Sequence, residues 1–207
     1  MFKHEEMRNR ILHGHVLDIL KNFPDKSIDC VVTSPPYFHL RGYQTAPQIW
    51  DAPQNCEHVW GEEDKVHQSV SFCSKCGAMK GELGHEPTSE LFVKHLCDIF
   101  DEVKRVLKPT GSFFLNIGDS YGGSGGSNKN KERYKGQLTR EISKCLCLIP
   151  YRVAIEMVSR GWILRNTIIW YKLNCLPSSA KDRFTNDFEY VFFFTKNPDY
   201  YFEQQFE

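Results

Sequence analysis

Ile28-Asp29-Cys30-Val31-Val32-Thr33 runs directly into Ser34-Pro35-Pro36-Tyr37. The first six residues form a short β-branched run that reads as a buried strand, and the prolines stop it in a rigid loop. Downstream, Thr88 follows Pro87 as a helix N-cap with Glu90 in the first turn. Phe92, Leu96, Ile99, Val103 and Val106 then recur at spacings of four and three, the mark of an amphipathic helix. That helix is expected to run to about Leu107 and to break at Lys108-Pro109-Thr110-Gly111, before a second buried strand over Ser112 to Ile117. The order strand, helix, strand defines an α/β layered domain.

The same rhythm continues. Pro150 suits the first turn of a helix carrying Val153, Ala154, Met157 and Val158, with Gly161 at its C-terminal cap. A strand is expected over Ile163 to Tyr171 and a last one over Phe188 to Thr195, joined by a polar connection. Two successive strands without a helix between them suggest an antiparallel edge on an otherwise parallel sheet. At the other end, Arg10 to His13 reads as a short first strand before a helical turn at Val16 to Lys21. There is no internal repeat.

The chain has 207 residues, with 26 Lys+Arg balanced by 26 Asp+Glu, 41% hydrophobic and 14% aromatic, which fits one globular domain. Disorder, collagen and coiled coil are excluded by that balance. No apolar stretch approaches the roughly 20 residues of a spanning helix. Met1 to Arg10 is charged and no signal-type apolar region follows it, so a cytoplasmic protein is expected. With zero net charge, any nucleic-acid binding must come from local patches.

Two segments depart from the α/β rhythm. Residues 50–86 show little periodicity but contain Cys56, His58, Cys73 and Cys76, and read as an insertion that needs a staple. Cys-x-His and Cys-x-x-Cys supply four soft or borderline ligands, the set that a closed structural zinc site takes, with His67 and His85 as alternative fourth ligands. Cys30, Cys97, Cys145, Cys147 and Cys175 lie in or beside apolar runs and are expected to pack as small hydrophobes. Residues 122–137, almost without apolar side chains, read as a flexible loop carrying Lys129, Lys131, Arg133 and Lys135.

The loop that ends the first strand carries chemistry. Ligands bind at strand ends of open α/β sheets. A prolyl residue offers a carbonyl acceptor and no N–H, so Pro35 and Pro36 can direct acceptors at an amino group, and Ser34 Oγ can join them. The Tyr37 ring can stack on a planar base swung out of a duplex.

Thr33-Ser34-Pro35-Pro36-Tyr37 resembles the TSPPY or DPPY loop of the amino-methylating DNA methyltransferases, specifically those with permuted motif order. Glu102 to Gly111, Leu115 to Tyr121, Arg165 to Asn174 and Pro177-Ser178-Ser179 are similar to later parts of that family, so the resemblance covers nearly the whole chain. It implies a Rossmann-like fold dependent on S-adenosylmethionine, here incomplete, into which the zinc-stapled segment 50–86 read from the cysteine and histidine spacing is inserted. It also implies that Ser34 and the Pro35 carbonyl accept hydrogen bonds from an exocyclic amine on which methyl is placed directly, while Tyr37 stacks on the base. No Pro-Cys dipeptide, the nucleophile of carbon-5 cytosine enzymes, occurs in the sequence. Ser34, where adenine enzymes more often carry Asp, leans toward N4 of cytosine. N6 of adenine is the alternative, and an inactive DNA-binding remnant a third reading.

Double-stranded DNA and restriction–modification follow from the resemblance. Lys172, Lys181 and Arg183, beside the target-base loop in the family, are expected to touch phosphates and to contribute salt-dependent affinity. The family's glycine-rich cofactor loop lies beyond everything matched here, and Gly14-His15 stands where relatives generally carry Gly-Asp. The 207 residues are therefore expected to form the target-base part of a catalytic domain. The cofactor half would then be missing from a fragment, supplied by a second chain, or lost in a decayed product.

Overall fold

The computed structural model describes residues 4–62, 70–122 and 144–205. In chain order the elements are α1 (His4–Met7), α2 (Val16–Leu20), β1 (Ile28–Thr33), β2 (Gln48–Trp50), β3 (Ser71–Phe72), β4 (Met79–Gly81), α3 (Ser89–Val106), β5 (Leu107–Ile117), α4 (Ile149–Ser159), β6 (Ile163–Tyr171) and β7 (Phe188–Thr195). They divide between two compact units, one of Met1–Pro35, Phe100–Gly118 and Ala154–Glu207, the other of Pro36–Ile99 and Asp119–Val153.

The first unit is built on a four-stranded sheet in the order β1-β5-β7-β6. β1 pairs with β5 in parallel, while β7 is antiparallel to both β5 and β6. The antiparallel strand expected at the edge is therefore interior, and β6 takes the edge. Burial explains the placement: Phe192, Phe193 and Phe194 project to both faces of β7 and all are buried, whereas β6 carries Arg165, Asn166 and Thr167 and is mostly exposed. The backbone N–H of Lys172 donates to Asp187 O at 2.7 Å, closing the connection that returns β7 alongside β6.

β5 begins at Leu107, five residues before the expected Ser112. The helix-breaking Lys108-Pro109-Thr110-Gly111 stretch is absorbed as an irregularity, because Ile28 faces Leu107 while Cys30 already faces Ser112. Proline is tolerated there, where no ladder donor is required. A Cβ on Gly111 would lie 2.8 Å from Asp29 O, so the bulge closes only on glycine. Beyond it β5 alternates strictly. Phe113, Leu115 and Ile117 are buried on one face, where Phe113 meets Phe100 at 5.0 Å and Trp162 at 5.3 Å. On the other face Phe114 stacks on Phe193 at 4.8 Å, and Val32 is 75% exposed.

Arg10 to His13, expected as a strand, belongs to neither sheet. Of its two large apolar side chains, Ile11 is 99% exposed and Leu12 is only partly buried, so the stretch has no apolar face for pairing to cover. In α4, Val153, Ala154 and Met157 are buried as expected, but Val158 is 49% exposed because it lies one residue round from the buried stripe. Gly161 (φ +82°) ends the helix, with its N–H on Val158 O and that of Trp162 on Met157 O, a Schellman cap.

The second unit contains an antiparallel sheet in the order β2-β4-β3, of which β3 and β4 lie within the 50–86 stretch that showed little periodicity and β2 ends where that stretch begins. Strands of two and three residues are too short to display alternation. Trp50, Val70, Ala78, Met79, Phe92 and Leu96 are among its buried apolar side chains, and Trp50 Nε1–H donates to Gly81 O at 3.1 Å. The fully buried His95 is paired on both ring nitrogens: it lies between Glu86 Oε1 (3.0 Å) and Asp51 Oδ2 (3.3 Å) and stacks on Trp50 at 4.7 Å. The expected flexible loop at 122–137 lies, apart from Gly122, outside the described residues.

Candidate active site and cysteine–histidine cluster

The loop at the carboxyl end of β1 passes from the first unit to the second between Pro35 and Pro36. Ser34 continues the β1 alternation on the face that carries Val32. Its exposed hydroxyl donates to Asn116 Oδ1 on β5, 3.1 Å away. A hydroxyl has one hydrogen and two lone pairs, so Ser34 Oγ keeps acceptor capacity with its own hydrogen committed. The Pro35 carbonyl follows it without an intervening N–H donor.

On the second unit's side the loop is anchored to residues 84–86. The backbone N–H of His39 donates to Gly84 O at 2.9 Å, and His39 Nε2–H donates to Glu86 O at 2.7 Å. Glu86 Oε2 in turn accepts from the Gly84 N–H at 2.8 Å. Gly84 has φ +94°, and a Cβ there would stand 3.0 Å from Tyr37 O. Glycine thus lets the 84–86 segment lie directly under the Tyr37 backbone. Tyr37 is half-buried, and Phe38 beside it is buried against Phe92 at 5.4 Å. These anchors leave the Pro36–Tyr37 pair on a support rather than on a free loop.

At the end of β5, Asp119 accepts from the N–H groups of Ser120, Leu148 and Ile149 at 2.9–3.0 Å, capping the start of α4. Asn116, Glu86, His95 and Asp119 were not assigned roles by their sequence pattern. Asn116 alone carried a signal, as a polar side chain inside the apolar run Phe113 to Ile117.

The four predicted metal ligands come together. Donor atoms of Cys56, His58, Cys73 and Cys76 all lie within 4.8 Å of one another, with Cys56 Sγ to Cys73 Sγ at 3.9 Å and Cys76 Sγ to His58 Nδ1 at 3.4 Å. The Cys-x-x-Cys turn is built by Gly77 (φ +77°), whose N–H donates to Cys73 O, and by the Cys73 N–H, which donates to Ala78 O, both at 2.8 Å. Burial raises the Cys56 thiol to about 11, assisted by hydrogen bonds to Cys76 and Cys73. Burial acts in the same direction on Cys73, yet hydrogen bonds from His58 and from the Lys75 and Cys76 N–H groups bring it down to about 5. The donor set, its spread and the glycine turn fit a single tetrahedral ion. His85 lies elsewhere, with Nε2 3.3 Å from Arg41 O, and His67 is outside the described residues.

Of the other cysteines, Cys97 and Cys147 are buried as expected, whereas Cys30 and Cys145 are exposed and Cys175 is intermediate. Among the basic residues, Lys181 and Arg183 are exposed in the connection between β6 and β7. Lys172, at the end of β6, is ion-paired with Glu189 on β7.

This chain belongs to the DNA methylase family N6_N4_Mtase, which matches residues 28–206. It is 33% identical to the type II methyltransferase M.SmaI of Serratia marcescens over 203 residues, which are 94% of this chain and 58% of the relative. It is 36% identical to M.SfiI of Streptomyces fimbriatus over 189 residues, 91% of this chain and 36% of that protein. The chain thus spans well under two thirds of the length of these relatives. Its fold is that of the PvuII DNA methyltransferase (cytosine-N4-specific), with a TM-score of 0.54 at 22% identity over 90% of this chain and 48% of the other. The putative DNA modification methylase TTHA0409 of Thermus thermophilus, complexed with S-adenosyl-L-methionine, gives a TM-score of 0.52 at 20% identity, over 93% and 55% of the two chains.

Proposed function

We propose that this chain is the target-base part of a type II DNA methyltransferase that places a methyl group on the exocyclic N4 of cytosine in double-stranded DNA. The observation that carries the reading is Ser34 at the carboxyl end of β1, with its hydrogen committed to Asn116 and its lone pairs left over. An exocyclic amine has its own lone pair delocalised into the ring. Acceptors on its two hydrogens favour a pyramidal, more nucleophilic nitrogen in the transition state, so Ser34 Oγ and the Pro35 carbonyl, continued by Pro36, act where charge develops. Tyr37 holds the extruded base by stacking. By the family resemblance, Ser34 in the place where adenine enzymes more often carry Asp supports cytosine over adenine, and the cytosine-specific name of one fold neighbour points the same way.

S-adenosylmethionine supplies the methyl group when bound. Among the described residues no strand passes through a glycine-rich turn into a helix, the arrangement that would hold it. Lys181 and Arg183 would contact phosphates, and Lys172 would do so only in competition with Glu189. Cys56, His58, Cys73 and Cys76 would hold one structural zinc, with all four positions filled by protein and none left for catalysis. The 50–86 segment is then a stapled insertion.

Expression of the intact gene product in a host without such methylation, followed by nucleoside analysis of its DNA, tests the reading. N4-methylcytosine is the expected product. N6-methyladenine alone would transfer the mechanism to the other base, and unmethylated DNA would leave only a DNA-binding remnant.

A further inference from the structure

Ser34 does not stand alone on its sheet face. Asn116 accepts the Ser34 hydrogen on Oδ1 and spends both amide hydrogens elsewhere, donating from Nδ2 to Glu189 Oε2 at 3.2 Å and to Tyr190 O at 3.1 Å. The other Glu189 oxygen accepts from Lys172 Nζ. The result is a row across the four strands, from the end of β1 through β5 and β7 to the end of β6.

The chemistry of this row is directional. If the Asn116 amide were reversed, its oxygen would face a carboxylate and a carbonyl, two acceptors with no hydrogen between them. Glu189 and Tyr190 therefore dictate which end of the amide meets Ser34. An oxygen at that end can only accept, so the Ser34 hydroxyl can only donate to it. A serine, which could otherwise give or take a hydrogen bond at the base, is thereby presented as an acceptor alone. The Glu189 carboxylate also polarises the amide, which makes Oδ1 a stronger acceptor and in turn makes Ser34 Oγ more electron-rich. Lys172 keeps that half-buried carboxylate, 20% exposed, paired.

We propose that Asn116 and Glu189, with Lys172 behind them, are positioning residues that commit Ser34 to accepting a hydrogen from the target amine. This rests on the methyltransferase reading above and deepens it, because it supplies what a neutral serine needs to act as a carboxylate does elsewhere. None of the three touches the base in this arrangement; each acts through its neighbour.

The test is a double-mutant cycle in the intact gene product, read by single-turnover methyl transfer to duplex DNA, with KM for DNA measured alongside. Asn116→Ala should lower the transfer rate by about ten- to a hundredfold, the scale of a misplaced reacting group, with KM unchanged. In a Ser34→Ala background the same substitution should cost almost nothing more, since its effect passes through the absent hydroxyl. Glu189→Gln keeps the shape and removes the charge. It should show a smaller loss with the same dependence on Ser34, and it carries the test if Asn116→Ala fails to fold. Full additivity with Ser34→Ala, or no loss from Asn116→Ala and Glu189→Gln while Ser34→Ala is impaired, overturns the row and leaves the methyltransferase reading intact. Normal transfer by Ser34→Ala, or no transfer by the unmutated product, overturns both.

Discussion

Tyr37 shows how much a single side chain depends on its backbone support. In the proposed site its ring meets a base only if the loop beneath is held, and Gly84 holds it by lying where a Cβ would stand 3.0 Å from Tyr37 O. Tyr37→Ala should lower methyl transfer by about ten- to a hundredfold, in line with roughly 1–3 kcal/mol for one base–aromatic stack. Tyr37→Phe should retain most of the rate because stacking does not use the hydroxyl. Incorporation of labelled methyl groups into duplex DNA measures both, and zinc content should be the same in each variant. Gly84→Ala should resemble Tyr37→Ala in rate although it removes no group that touches the base, because φ +94° and the missing space would shift the loop. The place of this loop was legible in the sequence because a β-branched run stopped by two prolines marks the end of a strand, and β1 ends at Thr33. Asn116 stood out only as a polar residue in an apolar run; its contact with Ser34, spanning 82 residues, leaves no trace in local spacing.

Among the elements, those long enough to express a period were legible. β1, β6 and β7 run over the residues expected, and α3 begins where Thr88 Oγ1 accepts the Leu91 N–H at 3.2 Å. Thr88→Ala should therefore destabilise the protein by about 1 kcal/mol, seen as a lower urea midpoint with an unchanged slope. Gly161→Ala should cost a similar amount. The Lys104 Nζ that its Cβ would approach at 3.0 Å is the end of a flexible side chain, so the cost lies in forcing alanine to φ +82°. Elements whose existence depends on tertiary pairing were illegible. β2, β3 and β4 are two or three residues long. The interior place of β7 was decided by how many phenylalanines its two faces must bury against neighbours that local pattern does not identify.

Across the whole chain, the two units are stabilised by different means. The four-stranded unit buries Phe113, Leu115, Phe192, Phe194 and Trp162, enough aromatic and aliphatic surface to hold a sheet by the hydrophobic effect. In the second unit the strands β2, β3 and β4 are too short to be stable alone, and Trp60 bridges to Cys73 just where the four proposed metal ligands converge. A bound ion would cross-link residues 56–58 to 73–76, removing chain entropy that the short strands cannot offset. One zinc per chain by elemental analysis is the expected stoichiometry. Chelation, or Cys76→Ser, should abolish hydrogen-exchange protection in β2–β4 while β5 and β7 remain protected. Zinc should also be released on acidification, because the thiolates that bind it must take up protons as it leaves. Equal loss of protection in β5 and β7 would mean that the ion supports the entire chain, and unchanged protection in β2–β4 would mean that the cluster is no staple. The contrast between the two sheets tests the division of labour directly, since an ion that only fills a surface site would alter neither.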